Sequence, residues 1–261
     1  MDEREYRHMY QEEECHWWYV GMRAIVLSLL PRGALPRNPR VLDAGCGTGL
    51  TMAWLRRHYG ARVTGIDCHP VGLAFCRRRG EQSLVLGDVA ALPFIDDSFD
   101  LVVSLDVLSE VRDAASRTSA LAECRRLLRS GGKLLVRVPA YEWLRTSHDT
   151  GVSTSHRYGG GELRAAVEAA GFRAERCTFA NSILFPLAVI WRICKKVGLA
   201  PSGSDVRSAT RGSSWLNGLL LRILKLEAAH LRRHNFGFGL SLFVVAGEPD
   251  GSAATPQAAG L

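Results

Sequence analysis

The order of apolar and polar residues along this chain predicts an α/β fold, a mostly parallel sheet with helices on both faces. Three observations predict it. Short Val- and Leu-rich runs alternate with helical patterns through the middle of the chain. A glycine-rich loop, Gly45-Cys46-Gly47-Thr48-Gly49, follows the first run and opens a helix. Carboxylates close the first three runs, at Asp43, Asp67 and Asp88, and ligands in such sheets bind at the carboxyl ends of the strands.

In order, residues 3–30 read as helical, broken by Pro31. Arg40–Asp43 is a short strand and Leu50–His58 its helix. Arg62–Asp67 is the second strand and Pro70–Arg79 the helix after it. Ser83–Gly87 is the third strand and Phe99–Leu105 the fourth. Ala114–Leu128 is a helix stopped by Ser130-Gly131-Gly132. Lys133–Pro139 is the fifth strand, Gly161–Ala170 a helix closed by Gly171, Arg173–Phe179 the sixth strand and Leu240–Gly247 the seventh. No internal repeat is present. The segments divide as 1–39, an N-terminal helical lid; 40–182, the core; 183–239, a helical insertion; 240–248, the final core strand; and 249–261, a tail whose Ala, Gly, Ser and Pro content predicts disorder.

Length and composition are those of one globular domain with insertions: 261 residues, 47% hydrophobic and 23% charged. The seven cysteines, Cys15, Cys46, Cys68, Cys76, Cys124, Cys177 and Cys194, form no C-x-x-C pair, which argues against a disulfide framework or a zinc site and for a reducing cytoplasm. The first residues are acidic, the opposite of a signal-peptide start. No apolar run approaches the roughly 18–20 residues that a membrane span needs.

The net charge is +7, and its location matters more than its size. Between Ile183 and Gly239 stand nine basic residues, Arg192, Lys195, Lys196, Arg207, Arg211, Arg222, Lys225, Arg232 and Arg233, opposed by Asp205 and Glu227. That surplus of seven equals the charge of the whole chain. The rest is balanced, which argues against a generally basic nucleic-acid binder.

The glycine loop carries the functional reading. Gly45, Gly47 and Gly49 let backbone approach a ligand closely and permit positive φ. A dinucleotide fingerprint places its third glycine one position later, to pack helix against strand beneath a pyrophosphate. Leu50 stands there, and Asp43 ahead of the loop repels a pyrophosphate. A ligand with an amino-acid head and no phosphate fits better, with Asp43 holding its ammonium group directly or through water. Gly65-Ile66-Asp67, about twenty residues on, suits both hydroxyls of a ribose. Gly87-Asp88-Val89 suits the amino group and a ring nitrogen of adenine.

With these residues in place the chain resembles the class I S-adenosylmethionine (SAM)-dependent methyltransferases, in particular the small-molecule, methyltransferase type 11-like branch. The resemblance runs from about Arg40 to Gly171. It includes the loop above, Leu92-Pro93-Phe94 followed by Asp96-Asp97-Ser98-Phe99-Asp100, and Arg126-Leu127-Leu128-Arg129-Ser130-Gly131-Gly132. The chain is also similar to a subgroup with His-Trp-Trp-aromatic and then Arg near the N-terminus, here His16, Trp17, Trp18, Tyr19 and Arg23. That subgroup carries His-Asp after the fifth strand and Arg-Tyr soon after, here His148-Asp149 and Arg157-Tyr158. The resemblance implies a Rossmann-like, doubly wound seven-stranded sheet whose last strand is antiparallel, with SAM as cofactor. It places Asp43, Gly45, Gly47, Asp67, Asp88 and Val89 around the cofactor, with Cys46, Gly49, Cys68 and Leu105 beside them. Two departures stand out. Relatives read Glu-His-Val after the fourth strand where this chain has Ser109-Glu110-Val111. A second histidine ahead of the Arg-Tyr pair is replaced by Thr154, with His156 nearby but out of register.

Methyl transfer is an in-line displacement at a sulfonium carbon, so the protein must align the reactants, exclude water and, for a nucleophile of high pKa, take a proton. The candidate bases are His148 partnered by Asp149, then Glu110, then Tyr158. His16, Trp17, Trp18 and Tyr19 are expected in a lid, where aromatic faces attract the sulfonium, and Arg23 suits the methionine carboxylate. In the insertion, Ile183–Val197 is mostly apolar and Trp215–Leu231 carries an apolar stripe at 216, 219, 220, 223, 224 and 231. It is expected to roof a hydrophobic acceptor; a homodimer contact and a basic surface resting on anionic lipid are the alternatives.

The expected acceptor is a small, apolar metabolite methylated on oxygen, nitrogen or carbon: a natural product, a quinone, or a glycosylated or lipid-linked compound. The competing functions are a SAM-binding protein or cyclase without intermolecular transfer, and a nucleic-acid methyltransferase. The latter calls for an Asn/Asp-Pro-Pro-Tyr/Phe box or a Pro-Cys nucleophile, and the chain has neither. A nicotinamide oxidoreductase is disfavoured by Leu50.

Overall fold

A computed structural model describes residues 3–145, 149, 153–196 and 214–249. Seven strands form one sheet: β1 Arg40–Ala44, β2 Arg62–Asp67, β3 Leu84–Leu86, β4 Phe99–Leu105, β5 Leu128–Pro139, β6 Arg173–Ala180 and β7 Ser241–Gly247. Their order is β3-β2-β1-β4-β5-β7-β6, with β7 antiparallel to both neighbours and the β1–β5 pairings parallel. The predicted Rossmann-like sheet and its antiparallel last strand are both present. The winding reverses between β1 and β4, where Asp43 sits opposite Val103 on one side and Gly65 on the other. A crevice opens at that point because the connections leave in opposite directions.

The helices are α1 Glu3–Glu12, α2 Trp17–Leu29, α3 Leu50–Tyr59, α4 Pro70–Arg78, the single turn α5 Val107–Glu110, α6 Ala114–Leu127, α7 Gly160–Ala169, α8 Phe185–Lys196 and α9 Ser214–His230. Strand side chains alternate between the two faces of the sheet, so neighbouring residues feed separate cores. Val41, Leu101, Val103, Leu135 and Phe243 pack with α2, α3, α4 and α9. Leu42, Val102, Leu134, Val136 and Val244 pack with α6 and α7 on the other side.

Most boundaries agree with the sequence reading to within a residue, and two differ from it outright. Residues 3–30 are not one helix, for the chain breaks at 13–16. Glu13 turns inward there, and His16 caps α2 by accepting a hydrogen bond from the Trp18 amide at 3.3 Å through Nδ1. Ser130-Gly131-Gly132 does not stop a helix either. The helix has ended at Leu127, and Gly131, at φ +75°, lies within β5 where pairing with β4 shifts between Phe99 and Leu101. The left-handed backbone makes a bulge that glycine adopts without strain.

The described part of the insertion between β6 and β7 carries the helices α8 and α9, and α9 packs on α2. Gly21 is the contact point: a Cβ there would lie 2.3 Å from Leu224 Cδ1. Of the predicted stripe on α9, Leu224 and Leu231 are fully buried, whereas Leu219 is 46% exposed. Among the described residues no helix is long and apolar enough to cross a membrane.

Candidate cofactor and acceptor site

A cleft of about 1340 Å³ opens at the carboxyl ends of β1, β2, β4 and β5. Its floor begins with Asp43, at the inner end of β1 and 1% exposed. Asp43 Oδ2 is buried without a hydrogen-bond partner. Burial, reinforced by the charges of Asp67, Glu81 and Glu13, pushes its pKa up to about 8. A buried, unsatisfied carboxylate of this kind is complementary to an ammonium group.

The loop after β1 is held by its glycines. Gly45 has φ +88°, and a Cβ there would lie 2.1 Å from Val107 Cγ2. Gly47 has φ +54° and donates its amide to Asp67 Oδ2 at 2.9 Å. Gly49, at φ +85°, caps α3 rather than lining the cleft. Cys46 is buried in the loop, its sulfur 3.8 Å from that of Cys76.

Asp67 ends β2 and is 6% exposed. Its Oδ1 accepts the amide of His69 at 2.9 Å and the hydroxyl of Tyr6 at 3.2 Å. Cys68 is exposed beside it. Asp88 follows β3, exposed on the cleft rim, and accepts the Ala90 amide at 2.9 Å; Val89 is half-buried next to it. Leu105 lines the cleft at the end of β4. The predicted cofactor residues thus converge from three loops, with Gly49 supporting from behind.

The N-terminal helices cover this end. Tyr19 and Arg23 line the cleft, and Arg23 donates to the Glu13 carbonyl at 3.3 Å. Trp18 lies over Arg137, whose guanidinium carbon is 5.0 Å from the ring centre. Arg137 is paired with Asp106, Nε to Oδ1 at 3.1 Å and Nη2 to Oδ2 at 2.5 Å. Neither residue of that pair, nor Tyr6, emerged from sequence reasoning. Asp106 directly follows a strand, a position that could have marked it; Arg137 lies within a strand and carried no signal.

Of the candidate bases, Glu110 lines the cleft, and burial pushes its pKa up to about 7. Asp149 also lines it and is 2% exposed; its Oδ1 takes hydrogen bonds from Arg157 Nε at 3.0 Å and Nη2 at 2.6 Å. His148 lies outside the described residues. Tyr158 is not among the cleft-lining residues: it is 4% exposed in the core, and its hydroxyl donates to the Leu108 carbonyl at 3.5 Å. Burial of the ring and its bonded hydroxyl accord with a packing role, the alternative to its place as third candidate base. His156 meets Glu162 at 2.5 Å.

The insertion adds Leu184, Leu187, Ala188, Trp191 and the buried Arg192 to the cleft lining, and α9 adds Leu220. Asn181, 2% exposed, also lines the cleft and has a buried Oδ1 without a hydrogen-bond partner.

Comparison with known proteins agrees with this geometry. Residues 42–136 match the methyltransferase domain family. The chain is 36% identical over 165 residues to a probable S-adenosylmethionine-dependent methyltransferase of Mycolicibacterium smegmatis, covering 62% of each protein. It is 39% identical over 124 residues to the ubiquinone/menaquinone biosynthesis C-methyltransferase of Paracoccus denitrificans, 42% of this chain and 48% of that one. The matches thus span from about a third to three-fifths of the curated relatives' own length. A Haloferax volcanii methyltransferase solved with the Trm112 methyltransferase activator shares the fold, with a TM-score of 0.58 over 94% of both chains at 24% identity. Glycine loop, sheet order and relatives together identify residues 42–136 as a methyltransferase domain of the class I, SAM-dependent kind, with S-adenosylmethionine as the cofactor of that domain.

Proposed function

We propose that this chain transfers the methyl group of SAM to a nucleophilic atom of a small, largely apolar acceptor. The observation that carries the reading is one cleft lined both by the carboxylates and glycine backbone at the strand ends and by the apolar Leu184, Leu187, Trp191 and Leu220 of the insertion. The orphaned Asp43 oxygen fits the ammonium of the cofactor, Asp67 its ribose, Asp88 its adenine and Arg23 its carboxylate. When bound, SAM supplies an electrophilic methyl on a sulfonium. The residues of the chain do the rest: Trp18 and Tyr19 exclude water, the apolar wall orients the acceptor, and Glu110 or the His148–Asp149 pair receives its proton. The quinone-pathway relative supports an acceptor with an apolar body. Residues 1–39 act as a lid and residues 183–239 as the roof.

Calorimetric titration of SAM and S-adenosylhomocysteine (SAH) into the wild type and Asp67→Ala tests the reading. Losing the ribose contact should weaken binding about ten- to a hundred-fold, the equivalent of about 1.5–3 kcal/mol. Absence of binding to folded wild type at concentrations near about 1 mM, where a specific site would register, would overturn it. A screen of alkylated phenols and quinols for SAH release then separates transfer from cofactor binding alone.

A further inference from the structure

Helix α9 has two faces of opposite character. Leu224, Ala228 and Leu231 turn inward, and so does Glu227, the one acidic residue of the helix, which is fully buried. Its Oε2 accepts the amides of Ser182 at 2.9 Å and Ile183 at 3.2 Å, fastening the helix to the end of β6. The outward face carries Trp215, Leu219 and Leu226, exposed by 72%, 46% and 68%. Arg222 and Lys225 stand exposed among them, and Arg232 and Arg233 are exposed just past the helix end. Positions 215, 219, 222 and 226 are four, three and four residues apart, the spacing of a single helix face. The outer face of α9 is therefore apolar and cationic, with no acid on it.

We propose that this face docks on the surface of an anionic phospholipid bilayer. Such a surface offers negative headgroups at the level of Arg222 and Lys225 and an apolar layer for Trp215, Leu219 and Leu226. Tryptophan is suited to that boundary, with an apolar ring and one polar N–H. A second copy of the chain is a poorer partner, because a two-fold contact brings the same cations against each other. Arg232 and Arg233, exposed just past the helix end, extend the attraction beyond the helix itself. Helix α8 also leaves Leu187, Ile190 and Ile193 more than half exposed, and Leu187 lines the cleft as well. Delivery of a membrane-dissolved acceptor through that side rests on the methyltransferase reading; the docking itself does not.

Flotation of the full chain with vesicles tests the docking, using pure phosphatidylcholine and phosphatidylcholine carrying about one-third phosphatidylglycerol. The wild type should bind the anionic vesicles about ten-fold or more tightly than the neutral ones, and less tightly at high salt. Arg222→Glu with Lys225→Glu should remove at least about ten-fold of the affinity, and Trp215→Ser with Leu226→Ser several-fold. Circular dichroism should show every variant folded, and SAH affinity should stay at the wild-type value. Equal binding to both vesicle types, or none to either, overturns the proposal. So does a dimer that these variants dissociate without changing vesicle binding, which assigns the face to a second copy. Preferential retention on a DNA duplex, lost in the same variants, assigns it to nucleic acid and equally overturns it. Vesicle binding without SAH binding would instead defeat the cofactor reading and leave this one standing.

Discussion

Arg79, just past α4, reaches Glu13 in the turn between α1 and α2, Nη2 to Oε1 at 2.8 Å, with both side chains less than one-tenth exposed. The Thr48 hydroxyl donates to the same Glu13 oxygen, Arg79 Nε donates to the Thr48 carbonyl at 3.1 Å, and the guanidinium lies 4.3 Å from the centre of the Tyr10 ring. One buried cation thus ties the N-terminal helices to the glycine loop. Removing it strands the Glu13 carboxylate in a site where burial already raises its pKa. Arg79→Met should therefore lower the urea-unfolding free energy by about 3–5 kcal/mol, and Arg79→Met with Glu13→Gln should recover much of that loss. A loss below about 1 kcal/mol, the range of an exposed pair, would show that the lid is held by other contacts. SAH affinity should fall with the single variant, because Thr48 borders the cleft.

Asp43 makes cofactor binding depend on pH. Burial and the neighbouring carboxylates hold its pKa near 8, so the group is neutral at pH 6 and gains charge as the pH rises. An ammonium ligand favours the charged form. SAH affinity should rise from pH 6 through 8, with a slope of at most about ten-fold per unit, and fall only where the ligand's own amine loses its proton. Asp43→Asn should remove the rise. Without ligand the sign for stability is opposite. A raised carboxyl pKa stabilises the fold fully below its unfolded value of about 3.8, and that contribution is lost as the pH climbs through about 8.

Glu110 lines the cleft, and burial brings its pKa up to about 7. It can accept a proton near neutral pH as an imidazole does. If it takes the acceptor's proton, the rate should rise as the pH passes about 7 and then level. Glu110→Gln should cut the rate by about 10²–10⁴-fold and abolish that limb, with SAH affinity little changed. A pH limb that survives in Glu110→Gln would move the role to His148.

Gly21 and Leu224 test how lid and roof fit. A methyl group on Gly21 meets Leu224 Cδ1 at 2.3 Å, so Gly21→Ala should destabilise by about 1–3 kcal/mol through overpacking. The second change Leu224→Ala opens room for the added methyl. Urea unfolding of the double variant should show the two effects to be coupled rather than additive; simple additivity would mean that α2 and α9 do not meet there.

Sequence alone determined the strand and helix order, the glycine loop and the three carboxylates at the strand ends. Each follows from local rules: alternation along a strand, the φ freedom of glycine, and the ligand-facing ends of a parallel sheet. The family resemblance supplied the direction of β7. Tertiary structure decided the rest. Asp149 meets Arg157 in a buried pair, Tyr158 turns into the core, Arg137 finds Asp106, and Arg79 pairs with Glu13 across 66 residues. The break at 13–16 belongs here too, since no proline or glycine marks it and only the burial of Glu13 against Arg79 and Thr48 explains the turn. Pairings of this kind depend on which charges are driven out of water together. Desolvation is a property of the packed molecule and of no stretch of chain by itself.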